Sequence, residues 1–211
     1  MGFKSQQGQS LIGVLITATL ASIAFAGAMN LFGETARFTK SHEAVMRHDK
    51  QLMQALTTLE LEVMGAGYGI EDAEMGTHIK IDDNDAGRLL WRQDTNLDGV
   101  LECVGVDYGD GTMQMLTAEN CDAATDLSDI EFRTTDTLAS FPETREKPLP
   151  DITYTVGLAD CAPFGFGTPV ERVVVDIVSD SAMTVAREQA GVGNLTDGQM
   201  RTQICIVNIA G

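Results

Sequence analysis

The first 65 residues combine a long apolar run with an amphipathic stretch. Residues 9–32 contain no charged side chain, and about 20 apolar residues suffice to cross a bilayer as a helix. After this run, apolar residues recur at helical spacing, at Val45, Leu52, Leu56, Leu59 and Val63. No proline interrupts this part of the chain, and a glycine cluster begins at Gly65. The pattern predicts one continuous helix of about 55 residues, apolar all round at first and then apolar on one face.

The pattern changes after Ile70 to short runs of β-forming residues separated by turn residues. Several runs alternate apolar and polar positions, as half-buried antiparallel strands do. Asp110-Gly111 between two of them predicts a hairpin turn. The predicted strands are residues 77–81, 87–93, 100–108, 112–118, 128–135, 151–157, 171–179 and 202–209. The chain is therefore predicted to be an α+β protein, with the helix stripe packed on an antiparallel sheet.

Charge narrows the class of partner that the strand-rich part can have. The 211-residue chain has a formal net charge of −17, and nearly all of it lies beyond Gly65. A surface this acidic repels phosphate backbones, so we expect no nucleic-acid binding by this part. Solubility alone accounts for such a charge, and cation binding is the more specific interpretation.

The four cysteines predict a disulfide framework. None belongs to a C-x-x-C pair, and an even number behind an export-type N-terminus is typical of two disulfides. Three pairings are open. We favour Cys103–Cys121 with Cys161–Cys205, because each pair brackets one strand-rich segment; buried free thiols are the alternative.

The N-terminal residues resemble a known export signal. A leader ending at Gly8 and followed by "QSLIGVLITATLASI" resembles the signal of type IV prepilins, and "LTTLELEVMGAGYGI" (56–70) is similar to the helix end of PilW-type minor pilins. The resemblance implies cleavage after Gly8, with Gln9 as the mature N-terminus. It also places Leu11, Ile12 and Gly13 in the segment through which subunits assemble.

Gly13 departs from the family pattern. Type IV pilins usually carry glutamate at this mature position, where its carboxylate meets the N-terminus of a neighbouring subunit. A tip subunit of type II secretion pseudopili also lacks the glutamate, so Gly13 favours a minor subunit near a filament tip. The alternative is that glycine simply allows close packing of helices in a membrane.

The resemblance implies a layout and a cellular route. It assigns residues 1–8 to a leader, 9–32 to a transmembrane and assembly helix, 33–65 to its amphipathic continuation and 66–211 to an acidic head with a pilin-like fold. It implies a structural subunit of a type IV pilus, first in the inner membrane with a periplasmic head and then in an extracellular filament. The expected partners are other pilins, through a helix bundle, prepilin peptidase and the inner-membrane assembly machinery.

One stretch of the head has the oxygen spacing of a calcium loop. Asp94, Asn96 and Asp98 alternate along the chain and are followed by Gly99, an arrangement that can wrap oxygen ligands around one Ca²⁺. The Val100 carbonyl and Glu102 would complete the set, although the position of the bidentate glutamate of an EF-hand is occupied by Gly105. An ordinary turn at Asp98-Gly99 explains the same residues.

The chain lacks the sequence motifs of common enzymes, so we expect no enzymatic activity. Four other functions are consistent with the sequence. One is a soluble exported binding protein whose signal is cut after Ala26, and another is an uncleaved anchor with a periplasmic sensor head. The remaining two are a pseudopilin of type II secretion and a main filament subunit.

Overall fold

A computed structural model describes residues 11–141, 150–162, 167–180 and 199–210. Within the helix, only the backbone is described at positions 11, 38, 41, 42, 44 and 45. The chain divides between Met46 and Arg47 into two units. The second unit, from Arg47 onward, contains the end of the helix together with all the strands of the described residues.

Helix α1 runs from Leu11 to Val63 and is 53 residues long, which confirms the predicted continuous helix. Within the described residues, only its segment Ile12–Arg37 is long and apolar enough to cross a membrane, with a mean hydropathy of 2.0 and no side chain buried. The hydroxyls of Thr17, Thr19 and Ser22 donate to carbonyls one turn earlier. These three hydroxyls thus find acceptors within the helix itself and need no water to do so.

The described strands form two antiparallel sheets. Their bounds are β1 Ile79–Ile81, β2 Arg88–Gln93, β3 Glu102–Gly109, β4 Thr112–Thr117, β5 Arg133–Ser140, β6 Ile152–Cys161, β7 Val170–Asp180 and β8 Gln199–Ile206. The first sheet has the order β1-β2-β3-β4-β5 and the second the order β6-β7-β8, so every neighbour in a sheet is also the neighbour in sequence. The fold class is α+β, as predicted.

The hairpin between β3 and β4 turns where the sequence predicted it. Asp110 and Gly111 both have positive φ, 49° and 72°, which is the backbone of a two-residue hairpin turn. The fifth predicted strand was wrong in its first half. Asp126 accepts a hydrogen bond from the Ser128 amide and begins a short 3-10 helix, Leu127–Asp129, so β5 starts only at Arg133.

The main core lies in the second unit, where the last turns of α1 pack on both sheets. Leu52, Leu56, Leu59 and Val63 are buried, which confirms four positions of the predicted stripe; the side chain of Val45 lies outside the described residues. They share one apolar cluster with Trp91 of β2 and Ile177 of β7. The helical stripe therefore joins two sheets that share no strand.

A smaller apolar cluster lies on the other face of the first sheet. It contains Leu90, Cys103, Leu116 and Leu127. Because Leu90 faces this cluster while Leu89 and Trp91 face the main core, β2 is buried on both sides. The sequence between β4 and β5 thus forms a cover over the outer face of the sheet.

Candidate functional site

The residues implied in processing lie at the edge of what the structure describes. Gly8 and Gln9 fall outside the described residues, and so does the side chain of Leu11. Ile12 is exposed, and a Cβ added at Gly13 would meet no atom within 4 Å. Within the described part of a single copy, space therefore does not require glycine at position 13.

The tetrapeptide Ala66-Gly67-Tyr68-Gly69 is a junction between three segments of the head. Gly67 and Gly69 both have φ of 74°, a conformation that glycine adopts without strain. A Cβ at Gly67 would stand 2.5 Å from Ile209 Cγ1, and one at Gly69 would collide with the carbonyl oxygen of Asp94. The glycines are needed where the chain turns from α1 and touches both the Asp94–Glu102 loop and the C-terminal segment.

Two backbone hydrogen bonds tie this junction to β2. The Gly67 amide donates to the Arg92 carbonyl at 2.8 Å, and the Asp94 amide donates to the Tyr68 carbonyl at 2.8 Å. These bonds flank the point where β2 ends at Gln93. The start of the Asp94–Glu102 loop is thus attached directly to the junction that follows α1.

The C-terminal segment caps the helix. The side-chain amide of Asn208 donates to the carbonyls of Met64 and Ala66, at 3.1 and 3.3 Å. Carbonyls at a helix C-terminus have no partner within the helix and must find one elsewhere. The Ala210 amide adds a bond to the Ala73 carbonyl at 2.8 Å. No sequence motif predicted this cap, because the partners are 142 and 144 residues apart.

The Asp94–Glu102 loop brings three of the predicted calcium residues together. The two oxygens of the buried Asp94 carboxylate accept the amides of Asp98 and Gly99, at 3.2 and 2.9 Å. Asp98 accepts the Val100 amide at 2.8 Å and the Asn96 side-chain nitrogen at 3.0 Å. Positive φ at Leu97 and Gly99 curves the chain around these oxygens.

Glu102 lies at the exit of the loop and accepts a hydrogen bond from the Thr95 hydroxyl at 2.6 Å. Carboxylate, amide and carbonyl oxygens are the ligand types that calcium takes. In the described part of the chain, no group of three or more His, Cys, Asp and Glu residues is arranged to hold a metal ion. The donor types thus fit calcium, and the loop is already closed by its own hydrogen bonds.

Both disulfides have the pairing that the sequence favoured. Cys103 of β3 is bonded to Cys121, which attaches the cover between β4 and β5 to the first sheet. Cys161 at the end of β6 is bonded to Cys205 on β8, across the central strand β7 of the second sheet. The first disulfide therefore stabilises the first sheet and its cover, and the second disulfide stabilises the second sheet.

Arg92 and His48 are among the buried polar residues that sequence reasoning missed. Arg92 on β2 is 1% exposed, and its guanidinium donates to the carbonyls of Thr77, Asp122 and Thr125, which holds the Cys121 segment against β1. Burial lowers the pKa of Arg92. His48 of α1 is also buried, with its ring 4.7 Å from that of Phe141. Neither has a sequence signal, since arginine is mostly exposed in proteins and histidine is intermediate in burial.

No protein-family model, no curated protein and no solved structure matches this chain. Any function assigned to the chain must therefore rest on its own residues.

Proposed function

We propose that the chain is a structural subunit of a type IV pilus or a related filament, of the PilW-type minor class. In this role, the leader is removed after Gly8 and the helix from Gln9 to Phe32 holds the protein in the inner membrane, with its head in the periplasm. The same helix then leaves the lipid and joins the helix bundle of an extracellular filament. The mechanism is packing, and no step of it is catalytic.

The observation that carries this proposal is the change of surface along one helix. The segment Ile12–Arg37 exposes apolar side chains in every direction, while the turns from Leu52 to Val63 bury one stripe under a disulfide-bonded head. An exposed apolar helix must be covered by lipid or by other helices. Lipid would cover it in a membrane, and neighbouring helices would cover it in a filament with a helical core.

Gly13 supports a minor position near the tip within this proposal. A subunit that lacks a carboxylate at this place cannot form the contact with a neighbour's N-terminus that the resemblance implies. Partners in the proposal are other pilins, prepilin peptidase and the inner-membrane assembly machinery. A pseudopilin of type II secretion or a main filament subunit would have the same signal and the same helix.

Mass spectrometry of the N-terminal peptide of the native protein tests the proposal. A mature start at Gln9, especially with an N-methyl group, is expected. Gly8→Val should abolish this start because the residue before the cut changes, whereas Gly2→Val, within the leader, should leave it unchanged. A start at Gly27 would make the chain a soluble exported protein, and an intact Met1 would make it a fixed anchor.

We also propose that the Asp94–Glu102 loop binds Ca²⁺. Asp94, Asn96, Asp98, the Val100 carbonyl and Glu102 would supply oxygens, and the ion would neutralise part of the acidic charge of the loop. Because hydrogen bonds already close the loop, the ion would add stability to a folded head. The expected gain in unfolding free energy is about 2.7 kcal/mol at a calcium concentration 100 times the Kd.

Thermal unfolding of the full chain in calcium and in a chelator measures this effect. Asp98→Asn keeps an acceptor for the Val100 amide but removes a negative charge, so it should abolish the calcium-dependent rise in Tm. Asp160→Asn, at an exposed carboxylate on β6, is the matched control and should keep the rise. Equal Tm values for the unaltered protein with calcium and with chelator would remove the metal from this proposal.

A further inference from the structure

The cover over the outer face of the first sheet has few buried side chains of its own. It comprises residues 118–132, all of which the structure describes, and its one regular element is the short 3-10 helix Leu127–Asp129. Leu127 is its only buried residue, while every other residue of the cover is half-buried or exposed. Regions with few buried apolar contacts open more easily than the core of a domain. The cover is therefore a candidate for opening on its own.

The cover and the main core have no residue in common. None of residues 118–132, each of them described, belongs to the main apolar cluster or packs against it. Instead Leu127 belongs to the smaller cluster and Ile130 packs against it, while the sheet contributes Leu90 and Leu116. Detachment of the cover would thus expose Leu90 and Leu116 and leave the main core intact.

The sheet presents an apolar face below the cover. Leu90 of β2 and Leu116 of β4 stand opposite Gly105 of β3, one on either side of that strand. A Cβ added at Gly105 would lie 2.6 Å from Leu90 Cδ2 and 3.7 Å from Leu116 Cβ. The missing side chain of Gly105 therefore lets the two leucines fill the space above β3. Without the cover, this face would be an exposed apolar patch, and such patches promote contact with other proteins.

Two tethers attach the cover to the sheet, and both start from one pair of neighbouring residues. Arg92 of β2 stands directly opposite Cys103 of β3. Cys103 is bonded to Cys121 of the cover. The Arg92 guanidinium donates to the carbonyls of Asp122 and Thr125. The covalent tether and the hydrogen-bonded tether therefore hold the same short stretch of the cover.

Two further polar contacts lie near the surface. Lys80 of β1 pairs with Asp126, whose side chain is 49% exposed, and the Ser128 hydroxyl accepts the Asp83 amide at 3.1 Å. Ion pairs near the surface contribute little to stability, and ordering a segment costs conformational entropy at every residue. A disulfide offsets part of this cost because it restricts the conformations of the detached segment. The Cys103–Cys121 bond is thus the tether whose loss most favours the open cover.

We propose that the cover is redox-sensitive: it lies closed on the sheet while the Cys103–Cys121 bond is intact, and it opens when a dithiol reduces that bond. A thiolate of the dithiol attacks the sulfur of Cys121, which is half-buried, whereas Cys103 is 1% exposed. The S–S bond breaks, and the second thiol of the reductant completes the exchange. The dithiol loses two electrons and two protons and becomes a disulfide, while both cysteines end as thiols. Opening gives the Arg92 guanidinium access to water, so no buried charge is left without a partner.

The cover makes the surface of the head depend on the redox state of its compartment. Disulfides persist in oxidising compartments such as the periplasm and are rare in the cytosol. Before the bond forms, the outer face of the sheet exposes Leu90 and Leu116 to other proteins, and after it forms this face is closed. The cover works in the same way in a filament subunit, a fixed anchor or a soluble exported protein, so the inference does not rest on the proposed function.

Chemical modification of Arg92 in the full-length chain, held in detergent micelles, tests this inference. Phenylglyoxal reacts with guanidinium groups that solvent can reach, and peptide mass spectrometry measures the rate at each arginine. In the oxidised protein, Arg92 should react at least tenfold more slowly than Arg201, whose side chain is 66% exposed. Cys103→Ala together with Cys121→Ala should raise the Arg92 rate at least tenfold and leave the Arg201 rate unchanged. Dithiothreitol should have the same effect on the unaltered protein.

Cys161→Ala together with Cys205→Ala removes the other disulfide and is the matched control, in which Arg92 should stay protected. Trp91 lies in the main core, so its emission maximum should not change when the Cys103–Cys121 bond is lost. An Arg92 that stays protected without this bond, or that already reacts as fast as Arg201 in the oxidised protein, would overturn the inference. Exposure of Arg92 together with a red shift of Trp91 emission would also overturn it, because the cover and the core would then open as one unit.

Discussion

The two ends of helix α1 have the same backbone and opposite surroundings. The segment Ile12–Arg37 is predominantly apolar, with a mean hydropathy of 2.0, and no side chain in it is buried. Between Leu52 and Val63 the apolar residues keep to one stripe, and that stripe is fully covered by the two sheets. The two segments differ in what covers their apolar side chains. The second segment is stabilised by its own chain, whereas the first depends on lipid or on other proteins.

This comparison separates two kinds of mutational effect. A change in the covered stripe should alter the unfolding of the head and leave membrane insertion unchanged. A change in the exposed apolar segment should do the reverse. Trp91 makes the separation measurable, because it is the only tryptophan and lies in the head core, fully buried. Its fluorescence therefore reports unfolding of the head alone.

The largest effect is expected from Leu59→Ala. Leu59 is fully buried between the sheets, so the truncation should lower the free energy of unfolding by about 3 kcal/mol. Leu61→Ala, two residues along the helix and 69% exposed, should change it by less than about 0.5 kcal/mol. Denaturant titration of the full chain in detergent, followed by Trp91 fluorescence, measures both. Similar losses in the two variants would mean that the stripe is misassigned.

The next largest effect is expected from a charge placed in the exposed apolar segment at the other end of the helix. Ile16→Asp places a carboxylate in the apolar segment and should disfavour membrane insertion by about 3 kcal/mol. The fraction of chain that resists alkaline extraction from membranes should fall, with Ile16→Leu as the control. The Trp91 unfolding curve should remain unchanged. A variant that stays fully in the membrane would argue against a spanning role for Ile12–Arg37.

A smaller effect should follow from loss of the helix cap. Asn208→Ala removes the two bonds to the Met64 and Ala66 carbonyls and should lower the free energy of unfolding by about 1–2 kcal/mol. Asn120→Ala, at an exposed position, is the control and should have no measurable effect. The same denaturant titration measures the free energy of unfolding of both variants. An unchanged value for Asn208→Ala would show that solvent caps the helix equally well.

The smallest effect concerns pH. The Ser128 amide, and then Lys80, lower the pKa of Asp126 from its ordinary value of 3.8. Its contribution to stability is therefore complete above pH 3.8 and is lost as pH falls through the lowered pKa of the folded state. Asp126→Asn should lower Tm slightly at pH 6, and the difference should shrink below pH 3.8. A difference that stays constant down to pH 2 would exclude the charge as its cause.

Local patterns predicted most of the secondary structure. Leu52, Leu56, Leu59 and Val63 were enough to predict the buried face of α1, because helical periodicity is a property of neighbouring residues. Asp110-Gly111 likewise placed the β3–β4 turn through its own backbone preferences. The start of β5 was missed because Asp126 caps the chain locally, and a capping side chain competes with an apolar pattern that also fits a strand.

The sequence likewise predicted only part of the Asp94–Glu102 loop. Alternation of Asp94, Asn96 and Asp98 before Gly99 predicted either a calcium loop or an ordinary turn at Asp98-Gly99, and the structure has a loop closed by hydrogen bonds to the Asp94 carboxylate. The attachment of this loop to Gly69 could not be predicted, because it joins segments that are distant in sequence. The role of the AGYG glycines as close-contact positions also became visible only once Ile209 and the Asp94 carbonyl lay against them.

The sequence by itself determined the long helix, its change from an all-apolar to a one-sided surface, the order of the strands along the chain and the acidity of the head. Each of these is a local property, set by residues within a few positions of one another. The tertiary structure alone decided that Asn208 caps α1, that Arg92 is buried, and that Glu62, Glu102 and Asp136 lie around one surface groove of about 540 Å³. Those relations depend on how distant segments pack, and packing is the sum of many weak contacts that no short stretch of sequence contains.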